Sequence, residues 1–197
     1  IPLSPQPPIQ PQQPQGLRLP LSLLISPPKS PLSELFTNHS EKAFDLYLYL
    51  AKKAQSQNST TIKINYQEFA QALGYTKNYY FNVYQPLRKL TRKYGIIQRK
   101  PWSKYLTLKH TASPAYITIP DTYWDYGFHQ KFSFPAKYMF LASLAEAQKS
   151  NRNPYWFRSN LDLSQIYHIA ERSVTKGITE LEQENILEVY RHKPEEP

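Results

Sequence analysis

The chain has no cysteine, only five glycines in 197 residues, and no apolar run near the roughly 20 residues needed to cross a bilayer. Without cysteine there are no disulfides and no thiolate metal sites, which suits a reducing compartment and makes the cytoplasm the expected location. With glycine this scarce, no phosphate-cradling loop of the nucleotide-binding kind is present. The five histidines, His39, His110, His129, His168 and His192, include no pair spaced to share one helical face and no His-apolar-His motif. Carboxylates are scattered, with no evident acidic triad. These absences predict a protein that is not an enzyme, takes no cofactor, metal or small-molecule substrate, and does not enter a membrane. What the chain does have is positive charge, 24 Lys and Arg against 15 Asp and Glu, a net +9. Such a balance suits a polyanionic partner, most often nucleic acid and sometimes an anionic membrane surface. The first residue, Ile1, is not a methionine, as expected of a trimmed chain or of a piece of a longer one.

Residues 1–31 hold ten of the eighteen prolines, with glutamines between them. Proline removes amide donors and opposes helix, so this stretch reads as an extended proline-rich arm or linker. Its leucines, Leu17, Leu19, Leu21, Leu23 and Leu24, are able to lie against a folded surface or a second subunit.

Composition is globular beyond that point. Ala43, Phe44, Leu46, Tyr47, Leu50 and Ala51 recur at three and four, predicting a helix over residues 40–55. Ile62 and Ile64 flank Lys63 in a short strand. Asn65 and Glu68 have the form of a capping box opening a helix that Gly74 ends. Thr76 is placed to cap a second helix carrying Tyr80, Val83, Tyr84, Leu87, Leu90 and Tyr94, with a kink near Gln85 imposed by Pro86, or two helices end to end there, and a stop at Gly95. Residues 96–99 and 105–108 read as two strands joined by a basic, aromatic tip, Lys100, Pro101, Trp102, Ser103 and Lys104. Residues 116–119 form a further strand expected to add to the same sheet, and residues 121–130 an aromatic connector that marks a boundary.

Pro135 opens a helix whose buried face is Ala136, Met139, Phe140, Leu141, Leu144 and Ala145. A strand over residues 155–158, a capping box at Ser159 and Asp162, a helix over 163–167, a turn at His168, a helix over 171–184 and a closing strand over 186–190 complete the pattern. The two halves thus repeat one plan, with Phe69 and Leu163, and again Gly74 and His168, 94 residues apart. Duplication of one module accounts for this economically.

A helix pair feeding a two-stranded ribbon has the form of a winged helix, and residues 168–191, HIAERSVTKGITELEQENILEVYR, resemble the helix-turn-helix and first wing strand of bacterial winged-helix regulators. The turn is His168, the cap Ala170, the β-branched residue Val174, the leucine Leu181, the stop Asn185 and the strand starts at Ile186 and Leu187. Histidine and alanine replace the family's turn glycine and hydroxyl cap, and this wing is expected to be truncated or absent. Tandem winged helices in a basic chain are similar to plasmid replication initiators, in which both modules contact origin repeats and dimerisation competes with binding. The resemblance implies a mainly α protein with small β-ribbons, an α+β class, built of two winged-helix modules over residues 32–120 and 121–197. It implies sequence-specific binding of double-stranded DNA, in replication initiation or transcription regulation, with a homodimer as a further partner. The alternative is a winged-helix module for protein–protein interaction in a larger assembly.

In such modules the second helix enters the major groove. Here that helix is expected to start at Lys77 and to present Lys77, Asn78, Tyr79 and Asn82, with asparagine suited to adenine and lysine to guanine or phosphate. Arg88, Lys89 and Arg92, with Lys93, lie beyond the kink and suit phosphates. Arg99, Lys100, Trp102 and Lys104 form the wing tip, where an exposed tryptophan among cations lies along the minor groove or backbone unless it folds back on its ribbon. Arg172, Ser173 and Lys176 hold the matching place in the second copy, with Arg191, His192 and Lys193 at its strand end. Most of the sixteen tyrosines and nine phenylalanines are expected in the core, and stacking of single strands on exposed ones stays open.

Overall fold

The computed structural model describes residues 16–109, 113–149 and 155–190. The described chain is mainly helical, with two small antiparallel sheets. Its buried side chains form one continuous hydrophobic cluster.

The first strand, β1 (Gly16–Pro20), corrects the expected extent of the proline-rich arm. Residues 16–30 belong to the fold, and only residues 1–15 of the arm lie outside the described residues. Leu17 and Leu19 alternate with the exposed Arg18 and point inward, and Leu23 and Leu24 are fully buried. Ser30 then caps α1 (Pro31–Thr37), its Oγ accepting from the Ser33 amide at 3.1 Å with Pro31 in the first turn. The central helix, α2 (Glu41–Ser56), buries residues nearly all round its axis, including Phe44, Leu46, Tyr47 and Leu50.

After α2 the order is β2 (Thr61–Lys63), α3 (Tyr66–Ala72), a π-helical stretch (Tyr80–Tyr84) running into α4 (Gln85–Arg92), then β3 (Ile97–Gln98) and β4 (Tyr105–Leu108). The three strands form a sheet in the order β2-β4-β3, with Ile62 opposite Leu106 and Ile97 opposite Leu108. These four side chains face the core while Thr61, Lys63 and Gln98 face out, the period-2 pattern of a sheet covered on one side.

Asn65 caps α3 through its Oδ1, but Glu68 does not return to Asn65 as a full capping box requires. Its carboxylate is instead held by Lys53 and by Tyr49 Oη at 2.9 Å. The turn after α3 has Gly74 at φ +78°. At Gln85 two helical stretches run end to end, one of the two arrangements expected of Pro86. The turn before it widens, and the Gln85 amide donates to Tyr80 O, five residues back. Proline has no amide hydrogen and its ring crowds the preceding turn, so the π stretch takes up the misfit and Pro86 sits buried in the first turn of α4.

The strand β5 (Tyr116–Pro120) pairs only with β1, Arg18 opposite Thr118, and does not join the three-stranded sheet as expected. Both edges of this ribbon are closed by side-chain amides. Gln55, near the end of α2, accepts from the Arg18 amide and donates to Gly16 O, both at 2.8 Å. Gln148, at the end of α7 (Phe134–Gln148), does the same for Thr118, at 2.7 and 2.8 Å. The aromatic connector folds as α5 (Thr122–Asp125) and α6 (Phe128–Lys131), with Tyr123 fully buried.

Three helices follow, α7, α8 (Asn160–Tyr167) and α9 (Glu171–Gln183). The capping box at Ser159 and Asp162 is complete. His168 takes the left-handed conformation at φ +53°, as Gly74 does 94 residues earlier, and Asn185 ends α9 at φ +57°. Gly177 lets α9 approach α7, where an added Cβ would lie 2.5 Å from Pro135 O.

The strands expected over residues 155–158 and 186–190 are not formed. The amides of Ile186 and Leu187 turn back to Leu181 O and close the helix, and Arg158 reaches the buried Glu146 at 3.2 Å. Ile186, Leu187 and Val189 pack on the core without a ladder.

The halves are joined at their centre. Phe36 of α1 packs on Phe134 and Tyr138 of α7 with ring centroids 4.8 and 4.9 Å apart. Beside them Lys137, almost wholly buried, donates to Asp45 at 2.7 Å and to Glu41 at 2.8 Å. Burial raises the Asp45 carboxyl to about 7, against the pull of Lys137.

Candidate nucleic-acid interface

Charge is segregated along the chain. Residues 59–120 carry ten Lys and Arg and a single carboxylate, Glu68, a net of +9 that equals the charge of the whole molecule, because the other residues hold fourteen of each sign. Glu68 is itself engaged by Lys53, whose hydrogen bond holds the carboxyl below its usual range. Residues 59–120 therefore bear a positive field with no acid to spare.

On α4, Pro86, Leu87 and Leu90 are buried, which turns Arg88, Lys89, Arg92 and Lys93 to solvent. Arg88 with Arg92, and Lys89 with Lys93, are like charges at i,i+4, an arrangement that destabilises a helix by a few tenths of a kcal/mol per pair. Their place at a helix C-terminus offsets part of this repulsion. Lys93 donates to Asn38 Oδ1 at 2.7 Å. Lys77, Arg88, Lys89, Arg92, Lys100 and Lys104 are all exposed, and none joins an ion pair among the described residues.

The helix preceding α4 departs from the expected reading face. Thr76 does not cap it, and Lys77 lies before it, because Asn78 takes a left-handed conformation at φ +57° and the helical residues begin after it. Tyr79 is half-buried and packs on the core. Asn82 shares its inward side. Its Nδ2 donates to Lys77 O at 2.8 Å and its Oδ1 accepts from Lys42 at 2.6 Å, so both ends of the amide are occupied within the chain. The outward positions are instead Tyr80 and Phe81, which are 53% and 64% exposed. A π stretch adds residues per turn and rotates the side chains that precede it, which is why a 3.6-residue count placed Tyr80 inside.

An aromatic ladder missed in the sequence ties this face to the hairpin. Phe81 meets Tyr80 edge-on at 5.3 Å, Tyr80 stacks on Tyr84 at 4.7 Å, and Tyr84 lies 6.2 Å from Tyr66. Tyr66 Oη accepts from Arg99 Nη1 at 3.1 Å. Arg99 also donates through Nε to Ser103 O at 3.2 Å, so it braces the hairpin rather than pointing outward. No local pattern announces the ladder, since it joins residues from three elements.

At the hairpin tip, the Ser103 amide donates to Lys100 O and the Tyr105 amide to Ser103 Oγ. Trp102 does not fold back. It sits at φ +60° and is 99% exposed, between the exposed Lys100 and Lys104.

The second helical unit presents a different surface. Arg172 and Lys176 are exposed at the start of α9 and Ser173 is half-buried, but Glu171, Glu180, Glu182, Glu184 and Glu188 lie on or just after the same helix. Arg191, His192 and Lys193 lie outside the described residues. A cleft of about 1070 Å³ opens between α7, α9 and residues 155–158 and 186–190, lined by Phe140, Leu144, Tyr155, Phe157, Ile186 and Tyr190 among others. Among the described residues, no group of His, Asp and Glu is gathered as a metal site and no helix is long and apolar enough to cross a membrane. Comparison with family models, curated proteins and solved structures finds no match.

Proposed function

We propose that the chain binds double-stranded DNA through residues 59–109, as the first of two winged-helix modules in tandem. The observation that carries this reading is the concentration of the molecule's whole net charge on one helix–sheet unit whose single carboxylate is already neutralised. The strand order β2-β4-β3 beneath α2, α3 and α4 supports the winged-helix assignment. The helix ending in α4 enters the major groove. Lys77 and Phe81 meet base edges there, the lysine at guanine and the phenyl ring at a thymine methyl, and Arg88, Lys89 and Arg92 meet phosphates. The hairpin tip, with Lys100 and Lys104, follows the neighbouring backbone.

Replication initiation or transcription control in the cytoplasm is the role this surface suits, and no chemistry of bond making is assigned to it. Selection of bound sequences from a random duplex pool tests the reading. A recurrent motif, held against a single-stranded competitor, is the expected result, and a pool that never departs from random composition refutes sequence-specific binding.

A second reading applies to the other helical unit. The acidic run after Glu171 and the open apolar cleft favour contact with protein there, a second copy of the chain included, over contact with DNA. Elution of the protein as a monomer across micromolar concentrations would exclude the self-association version.

A further inference from the structure

Of the three tryptophans, Trp124 and Trp156 are half-buried while Trp102 is 99% exposed. The indole is not merely left over at a loose tip. Pro101 fixes the backbone before it, Trp102 itself holds a left-handed φ of +60°, and the turn is closed by the Ser103 and Tyr105 amides and by Arg99 Nε. The root of the hairpin is bonded through Arg99 to Tyr66 and through the stacked rings of Tyr84 and Tyr80 to the helix. The tip is therefore held at a set position relative to the helical face.

A large apolar ring with a lysine two residues to either side fits a target that is apolar at its centre and anionic at both margins. The minor groove of a duplex has that form, with base pairs on its floor and a phosphate row on each wall, and apolar wedges entering there unstack a step and kink the helix toward the major groove. We infer that Trp102 enters the minor groove and inserts between adjacent base pairs, while Lys100 and Lys104 hold the two flanking backbones. Pyrimidine–purine steps, above all TpA, are the easiest to open and are the preferred position. This inference rests on the duplex-DNA reading and adds that the duplex is deformed when bound.

The test uses a duplex of about 30 base pairs whose TpA steps carry 2-aminopurine in place of adenine, at salt low enough for sequence-independent binding. Binding is read by anisotropy and unstacking by the rise of 2-aminopurine fluorescence. The wild type should raise that fluorescence several-fold. Trp102→Ala should abolish the rise and weaken binding by about 5- to 100-fold, as loss of base stacking does, without altering the salt dependence. Trp102→Phe should restore part of both. Because the side chain is wholly exposed, circular dichroism of the alanine variant should match the wild type.

A wild type that binds the duplex with steep salt dependence but leaves 2-aminopurine dark overturns the inference and leaves DNA binding standing. So does a Trp102→Ala variant that keeps the fluorescence rise. A wild type that binds no duplex at all removes both.

Discussion

Replacing Lys100 and Lys104 together by alanine separates phosphate contact from other sources of affinity. Of the exposed cations that make no ion pair among the described residues, six are placed by this reading on the duplex: Lys77, Arg88, Lys89, Arg92, Lys100 and Lys104. If each neutralises one phosphate, counterion release gives a slope of log affinity on log salt of about −5, at roughly −0.9 per contact. Doubling salt from about 0.1 to 0.2 M should then weaken the wild type about 40-fold. With the two hairpin lysines gone the slope should relax to about −3.6 and the same step should cost only about 12-fold. The measurement is fluorescence anisotropy of a labelled duplex over a salt series, repeated on two unrelated sequences. The loss should be alike on both, since phosphates carry no base identity. Arg172→Ala with Lys176→Ala should leave the slope where it was. A wild-type slope shallower than about −2 would refute the phosphate-binding surface, and an unchanged slope in the Lys100 and Lys104 double variant would remove the hairpin from it.

Asn82→Ala should lower stability by about 1 kcal/mol through its lost bonds to Lys77 O and Lys42, with base preference intact, whereas Phe81→Ala should alter preference in a selection and leave urea midpoints alone. Gly177→Ala gains helix propensity, yet its methyl would meet Pro135 O at 2.5 Å and Met139 Cγ at 2.7 Å, so urea unfolding should show a net loss of about 1–3 kcal/mol. Asp45 is protonated more readily in the fold, at about 7, than in the unfolded chain, so its contribution to stability is full below about pH 4 and is lost as pH rises toward 7. His129, whose imidazole burial lowers, acts in the opposite sense as pH falls. The difference in unfolding free energy between wild type and Asp45→Asn, followed from pH 4 to 8, should therefore slope with pH, and a flat difference would dismiss the effect.

Local signals placed the helices well. The stripes on α2, α7 and α9, the capping residues Asn65 and Ser159, and the left-handed positions Gly74, Gly95, His168 and Asn185 were all legible, because each depends on neighbours within a turn or two. The hairpin was legible for the same reason. What failed was non-local. The alternation of Leu17 and Leu19 about Arg18 was hidden among prolines, and its partner strand lies about a hundred residues on, so nothing nearby could announce the pairing. Residues 155–158 and 186–190 have the composition of strands but form none, and the amides of Ile186 and Leu187 close the preceding helix instead. On the basic unit the exposure of Lys77, Arg88, Lys89, Arg92, Lys100 and Lys104 followed from the pattern, and the inward turn of Arg99 did not. The inward turn of Asn82 and the outward turn of Phe81 were not legible, since a π stretch obeys a different period from the one being counted. The gap in acidic residues between Asp45 and Asp121, broken only by Glu68, was the plainest available sign of where the positive surface lies.

The side-chain amides of Gln55 and Gln148 occupy outward peptide groups on both borders of the β1–β5 ribbon. Two strands alone ordinarily invite a third from a neighbouring copy, because their outer peptide groups lack partners. Here the Gly16 carbonyl, the Arg18 amide and both outward groups of Thr118 are already answered, and by residues anchored in the last turns of α2 and α7. A third strand would first have to displace one of these glutamines. The ribbon also ties the end of α2, in one helical unit, to the end of α7, in the other.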